Sequence, residues 1–369
     1  MQLSKLKLRR LLLWTSLLIL AVLNPPLSGW AAEPPAADQS AEEIVLFNWL
    51  EDIPQSVLDA FTRETKIRIK YEVFNSQEEA MANIRAGHVY DVAVLDGRFV
   101  PLLAGEGLLK KLNYENILNF KYISPNFRGL IYDPENRFCV PYSWGTTGLL
   151  VNTGQAHPPI KRWADLWDTQ YAGKVAISAS YPREAIGLTL KTLGYSANSE
   201  KPAEVKAALA RLLQLKLAPS FLYRYYPDFG TPSMASGEVV IAVGFSGDLL
   251  ESQKKGLSVE YVLPEEGLLL WGDTFVVPSS SRNQATAEKF IDYILRPEIS
   301  AEIVNQKYYA STNEAAQPFV QPEILKNQAI YPTDAMLMQA DIIQALSPEG
   351  QKLYDTIWQQ FLDANPQPH

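Results

Sequence analysis

From residue 44 onward the apolar positions of the chain switch between continuous runs, strict alternation and a period of about 3.6 residues. Ile44 to Phe47 is an unbroken apolar run, the pattern of a strand buried on both faces. Ile53, Val57, Leu58 and Phe61 recur at helical spacing and predict a helix over 53–65, after which Ile67, Ile69, Tyr71 and Val73 alternate as a strand. Ser76-Gln77-Glu78-Glu79 fits a capping box opening a helix that Gly87 can end, and Val92 to Leu95 is a further buried strand. The order βαβαβ predicts parallel strands in a doubly wound α/β sheet.

A similar unit starts later. Val175 to Ile177 and Val239 to Val243 read as strands, with helices predicted over Pro182 to Leu193 and Ala203 to Leu215 between them. Leu268 to Pro278 is another apolar stretch, and helices around Ala285 to Leu295 and Gly350 to Leu362 close the chain. Two α/β lobes fit this length, and no period suggests a solenoid.

The N-terminus changes the picture of where the chain works. Lys5, Lys7, Arg9 and Arg10 precede an apolar run from Leu11 to Leu23 that is too short to span a bilayer comfortably, and Gly29-Trp30-Ala31 offers a small-x-small cleavage site. Residues 1–31 therefore read as a signal peptide, with an uncleaved anchor as the alternative, and the small, polar, proline-bearing residues 32–42 as a disordered linker. No cysteine lies near this site for lipid attachment, so the mature protein is expected to be exported, soluble and periplasmic. Removing the leader makes the formal charge of −8 four units more negative, which disfavours nucleic acid and anionic membranes and suits a cationic ligand. Cys139 is the sole cysteine, excluding an internal disulfide and a cysteine zinc cluster. His88, His157 and His369 have no metal-ligand spacing, so neither a metal nor a cofactor is predicted.

In open α/β sheets ligands bind beyond the carboxyl ends of the strands. Reading outward from the predicted strands gives Asn48-Trp49-Leu50-Glu51-Asp52, Asp96-Gly97-Arg98, Ser180-Tyr181-Pro182-Arg183-Glu184, Phe245-Ser246-Gly247-Asp248 and Trp271-Gly272-Asp273. Carboxylates and aromatic rings recur there, and together they suit an alkylammonium: the ring face attracts the cation and the carboxylate accepts its N–H bonds. Each feature also has a plainer reading, Glu184 and Asp248 as helix-start acids, Asp96-Gly97 as a turn, Trp49 and Trp271 as core aromatics. Motifs for nucleophilic or phosphate chemistry are missing from the sequence, while a carboxylate pair for glycoside hydrolysis stays open because its separation is a three-dimensional quantity.

Several stretches carry a resemblance. Phe47-Asn48-Trp49, Phe61-Thr62-Arg63-Glu64-Thr65-Lys66-Ile67, Tyr90-Asp91-Val92-Ala93-Val94, Pro141 to Gly148, Trp163-Ala164-Asp165-Leu166-Trp167 and Trp271-Gly272-Asp273 resemble, in collinear order from about 44 to 363, the spermidine/putrescine-binding proteins of bacterial polyamine ABC transporters. The resemblance implies a two-lobed periplasmic binding protein fold, each lobe a doubly wound mixed sheet flanked by helices and joined by a hinge. It places 43–146 and about 276–328 in one lobe, and about 147–275 and 329–369 in the other. It further implies a non-enzymatic receptor that captures spermidine or putrescine between the lobes and delivers it to a membrane permease. By motif the ligand contacts fall on Trp49, Glu184, Trp271, Asp273 and Tyr309, with Phe245 to Asp248 and Glu51 matching further positions. With Asp52, Asp96 and Tyr181 from the strand-end reading, these complete the predicted site. Arg98 stands where the family usually has an aromatic or small residue, Asp96 replaces a serine, Tyr181 an aspartate and Phe245 a tryptophan, and Tyr308-Tyr309-Ala310 lacks the family's glycine and proline. A zwitterion whose carboxylate pairs with Arg98 or Arg183 is therefore the alternative ligand, and a secreted carboxylate-dependent hydrolase the alternative class.

Overall fold

The computed structural model describes residues 42–178, 181–215, 222–223 and 231–364. The predicted signal peptide, the linker up to residue 41 and Ser180 lie outside the described residues. Strands and helices follow in the order β1 (Glu43–Trp49), α1 (Gln55–Thr65), β2 (Arg68–Phe74), α2 (Gln77–Arg85), β3 (Val92–Asp96), α3 (Val100–Gly105), β4 (Cys139–Asn152), β5 (Val175–Ser178), α4 (Pro182–Thr192), α5 (Pro202–Leu215), β6 (Leu222–Tyr223), α6 (Thr231–Ser236), β7 (Ile241–Phe245), α7 (Ser246–Lys254), β8 (Val259–Val262), β9 (Leu269–Val276), α8 (Gln284–Ile294), α9 (Pro297–Lys307), β10 (Ala310–Ser311), α10 (Pro322–Leu325), α11 (Asp334–Leu337), β11 (Asp341–Ile342) and α12 (Pro348–Ala364). Among the described residues no helix is long and apolar enough to cross a membrane.

Local chemistry sets the element ends. Ser76 Oγ accepts the backbone N–H of Glu79 at 3.1 Å, the forward half of a capping box, while Glu79 Oε2 accepts from Asn75 N, one residue before the position the motif expects. Gly87, at φ +78°, follows α2 as predicted. Pro182 opens α4, where its missing N–H costs nothing.

The sheet runs β2-β1-β3-β9-β4-β7-β5-β6. β1 pairs in parallel with β2 and β3, and β5 in parallel with β6 and β7, as the two βα units predict. Between these parallel sets run β4 and β9, antiparallel to each other and to β3 and β7, so the sheet is mixed. β4 is buried from Cys139 to Val151 and touches both sets: its first half pairs with β9 and β10, its second with β7 and β8. Pro141 sits beside the irregularity in the β4–β9 register, which accommodates its missing donor.

Alternation along the strands feeds separate cores. Ile44, Leu46, Val92 and Val94 pack with Phe61 and Phe290 on one face of the first set, whereas Phe47, Ala93 and Leu95 pack with Phe74, Met81 and Tyr90 on the other. In the second set Leu149, Val151, Val175, Ile177 and Val243 pack with Ile186, Leu212, Trp358 and Phe361, and Leu150, Ala176 and Ala242 with Met234, Leu249 and Val259 on the opposite face. Each fully buried side chain of this size contributes about 1.5–3 kcal/mol. Both sets thus have the two covered faces that parallel strands require.

A candidate ligand cleft

The cleft begins with Asn48, wholly buried near the end of β1. Its Oδ1 accepts the N–H of Trp49 at 2.7 Å and its Nδ2 donates to Asp52 Oδ2 at 2.9 Å, so one side chain fixes both the turn and a carboxylate. Glu51, at φ +54°, is exposed on this turn. At the end of β3, Asp96 Oδ1 accepts from Arg98 N at 3.0 Å, the hydrogen bond of a turn, yet Asp96 also lines the cavity. The turn reading is realised there.

Trp271 and Asp273 lie inside β9 rather than beyond a strand end, a correction that follows from its antiparallel course. Being two residues apart in an extended strand they share a face, and both open on the cavity. Asp273 is the register partner of Asp96 on β3 and of Ser143 on β4; Trp271 is opposite Gly145. A Cβ on Gly145 would stand 2.5 Å from the Trp271 ring, so only glycine leaves the indole its seat. Likewise a Cβ on Gly247 would meet the Tyr309 ring at 2.7 Å.

The rings form a chain of edge contacts: Tyr181 to Phe245 (4.9 Å, 90°), Phe245 to Trp271 (5.7 Å, 76°) and Trp271 to Tyr309 (5.1 Å, 80°). Tyr308, which precedes Tyr309 where the family pattern has a glycine, takes φ +62°. Asp248 caps α7 by accepting from Phe245 N at 2.7 Å while lining the cavity. Glu184, in the first turn of α4, faces Arg98, with Arg98 Nη1 at 3.6 Å from Glu184 Oε1 and Arg98 Nε at 3.6 Å from Asp96 Oδ2.

These groups surround one cavity of about 420 Å³, and all eleven residues of the predicted site line it. The sequence reading missed Gln77 and Glu78 in the first turn of α2, Glu251, Ser252 and Lys255 along α7 and its end, and Gln306, Lys307 and Tyr308 at the end of α9. Ser76, a helix-start signal after a strand, is what points to Gln77 and Glu78. Arg183 does not line the cavity. Its Nη2 donates to Asn198 Oδ1 at 3.0 Å and the Gln344 carbonyl at 3.3 Å, and its guanidinium lies 4.6 Å from the Tyr354 ring centre. The expectation that Arg183 pairs with a ligand carboxylate is therefore corrected: its buried guanidinium packs against Tyr354 of α12.

Eight carboxylates and three basic side chains line the cavity. Burial, reinforced by the charges of Asp52 and Asp96, pushes the Asp273 carboxyl well above the usual carboxylate range. Burial raises Asp52 and Asp96 too, outweighing the Asn48 hydrogen bond at the first and the charge of Arg98 at the second. Although burial alone disfavours its charge, Asp96 and Glu184 hold the Arg98 guanidinium above its ordinary value. The cavity thus has an excess of acids that are costly to ionise without a cation. No group of three or more metal-ligating side chains occurs among the described residues.

Comparison with known proteins agrees with this geometry. Residues 56–333 match the family model described as bacterial extracellular solute-binding protein. The spermidine/putrescine-binding periplasmic protein of Salmonella typhimurium is 30% identical over 323 residues, covering 87% of this chain and 91% of the relative. The putrescine-binding periplasmic protein PotF of Escherichia coli is 28% identical over 342 residues, covering 88% and 91%. Among solved structures, the spermidine/putrescine ABC transporter substrate-binding protein PotD from Streptococcus pneumoniae is 29% identical with a TM-score of 0.77, covering 88% of this chain and 99% of that one. The chain has the two-lobed periplasmic binding protein fold and belongs to the bacterial extracellular solute-binding family, whose members serve transport as substrate-binding proteins rather than as enzymes.

Proposed function

We propose that this chain is exported by its N-terminal signal peptide, captures an alkylamine of the polyamine class in the cleft, and presents it to the membrane permease of an ABC transporter. The observation that carries the reading is the convergence of Asp52, Asp96, Glu184 and Asp273 with Trp49, Tyr181, Phe245, Trp271 and Tyr309 on one cavity. Carboxylates accept the ammonium protons while the rings cover the methylenes and attract the charge. Glu51 and Asp248, which also line the cavity, add to its negative potential.

We assign the lobes as 43–146 with about 276–328, and about 147–275 with 329–369, with β4 and β9 as the strands that cross between them. Separate cores on the two parallel sets support this division. Site residues come from both lobes, so capture requires the lobes to approach and release requires them to part. The energetics suffice: spermidine's methylenes supply roughly 5–6 kcal/mol, and two or three charge-assisted bonds about 1.5–3 kcal/mol apiece before association costs. Micromolar binding needs about 8 kcal/mol.

Native mass spectrometry of the protein as isolated, followed by calorimetric titration with putrescine, spermidine and spermine, tests the reading. A retained amine and micromolar or tighter binding of at least one of the three is expected. No heat and no thermal shift with any of them rejects it.

A further inference from the structure

Arg98 gives one side of the cavity a different chemistry. Arg98 is 8% exposed, Gln77, whose Oε1 accepts from Asp96 N at 3.3 Å, 6% and Glu184 5%, and all three line the cleft. Arg98 Nε and Nη1, Gln77 Nε2 and Glu184 Oε2 are buried and have no hydrogen-bond partner among the described residues. The ion pairs of Arg98 with Asp96 and Glu184, both 3.6 Å long, balance charge but are too long to be hydrogen bonds. Buried donors and acceptors left this way are costly, and in native proteins such groups are normally satisfied by something.

A second ammonium is a poor candidate for this place. It has no acceptor to offer the guanidinium or the Gln77 amide, and it would approach a fixed positive charge that already occupies Asp96 and Glu184. A carboxylate satisfies the donors but sets a negative charge against Glu184 Oε2. An amide meets both needs, since its carbonyl accepts from Arg98 and Gln77 while its N–H donates to Glu184. Asp273 and Asp52, with Trp271 and Trp49, line the same cavity and remain available to an ammonium.

We infer that Arg98, with Gln77 and Glu184, sets the specificity of the cleft for an alkylamine whose far end is an amide, a monoacylated diamine, over the unmodified diamine. The inference rests on the amine reading given above and names the ligand's second end. It follows that the cleft recognises one ammonium, not two.

The test is a calorimetric comparison of three four-carbon ligands on the full mature chain: N-acetylputrescine, putrescine and 4-aminobutyrate. N-acetylputrescine is expected to bind at least tenfold more tightly than either of the others, and Arg98→Met is expected to erase that preference or turn it towards putrescine. Putrescine binding the wild type as well as N-acetylputrescine does overturns the inference while leaving the amine reading standing. Tightest binding by 4-aminobutyrate overturns the amide and assigns a carboxylate to Arg98. An unchanged ratio in Arg98→Met removes Arg98 as the determinant. If that variant does not fold, Arg98→Lys, which keeps the charge and loses the planar fork, must still lower the preference for N-acetylputrescine, and an unaltered preference is contrary to the inference. Failure of all three ligands to bind overturns this inference, and the amine reading falls with it only when spermidine and spermine fail to bind as well.

Discussion

Asp273 shows how one side chain is held for a ligand at a cost to the empty protein. It is 9% exposed, lies opposite Asp96 in the sheet, and has its carboxyl raised by burial and by neighbouring acids. Asp273→Asn keeps the shape and removes the charge. Binding of the amine should weaken by roughly 2–5 kcal/mol while the melting temperature holds or rises, because a carboxylate that resists ionisation is gone. Calorimetry and a thermal melt on the same preparation decide it; a lower melting temperature with unchanged affinity would make Asp273 a structural residue. Arg183 supplies the contrast, since its contacts tie α4 to Tyr354 of α12 and to Asn198 and Gln344 in the loops that precede α5 and α12. Arg183→Ala should lower stability by about 1–3 kcal/mol and leave affinity within twofold.

At the scale of elements the crossing strands decide what the sequence discloses. β1, β2, β3, β5 and β7 are legible because each alternates or runs apolar between turn residues, α1, α4, α5, α8 and α12 because their apolar residues keep helical spacing, and α2 because Ser76 to Glu79 reads as a capping box with Gly87 to end the helix. β4 was not legible as a strand. Pro141, Gly145 and Gly148 interrupt its pattern, and its burial on both faces leaves no alternation to read. The proline is accommodated at the register irregularity and Gly145 by the indole of Trp271, reasons that exist only once β9 lies alongside. α9 is opened by Pro297 but carries only a weak apolar stripe, so Gln306, Lys307 and Tyr308 at its end were not anticipated in the cleft. Gly145→Val tests the pairing of β4 with β9 as the support of the site. The added Cβ must displace the Trp271 ring, and the strain of about 1–3 kcal/mol should appear as roughly tenfold or greater loss of affinity in a protein that still folds. Unaltered affinity in a folded variant would show that the position of Trp271 does not matter to binding.

For the molecule as a whole, the acidic balance of the sequence and the acidic cleft express the same physics at different ranges. The formal charge of −8 favours the approach of a cation, and the buried acids favour its retention. Asp52, Asp96 and Asp273 have folded-state values raised above their ordinary ones, so their contribution to the stability of the empty protein is fully present below the ordinary carboxylate range. It is lost as pH rises through the raised values. A bound ammonium lowers those values again, so binding must release protons and must strengthen as pH rises over the same window. Calorimetric titration of spermidine at a series of pH values upward from the ordinary carboxylate range, in two buffers of different ionisation enthalpy, measures this directly. Heats are expected to differ between the buffers by the sign of proton release, with the difference shrinking as pH rises past the raised values. Identical heats in the two buffers, or proton uptake on binding, would contradict the claim that buried carboxylates of this cleft receive a cationic amine.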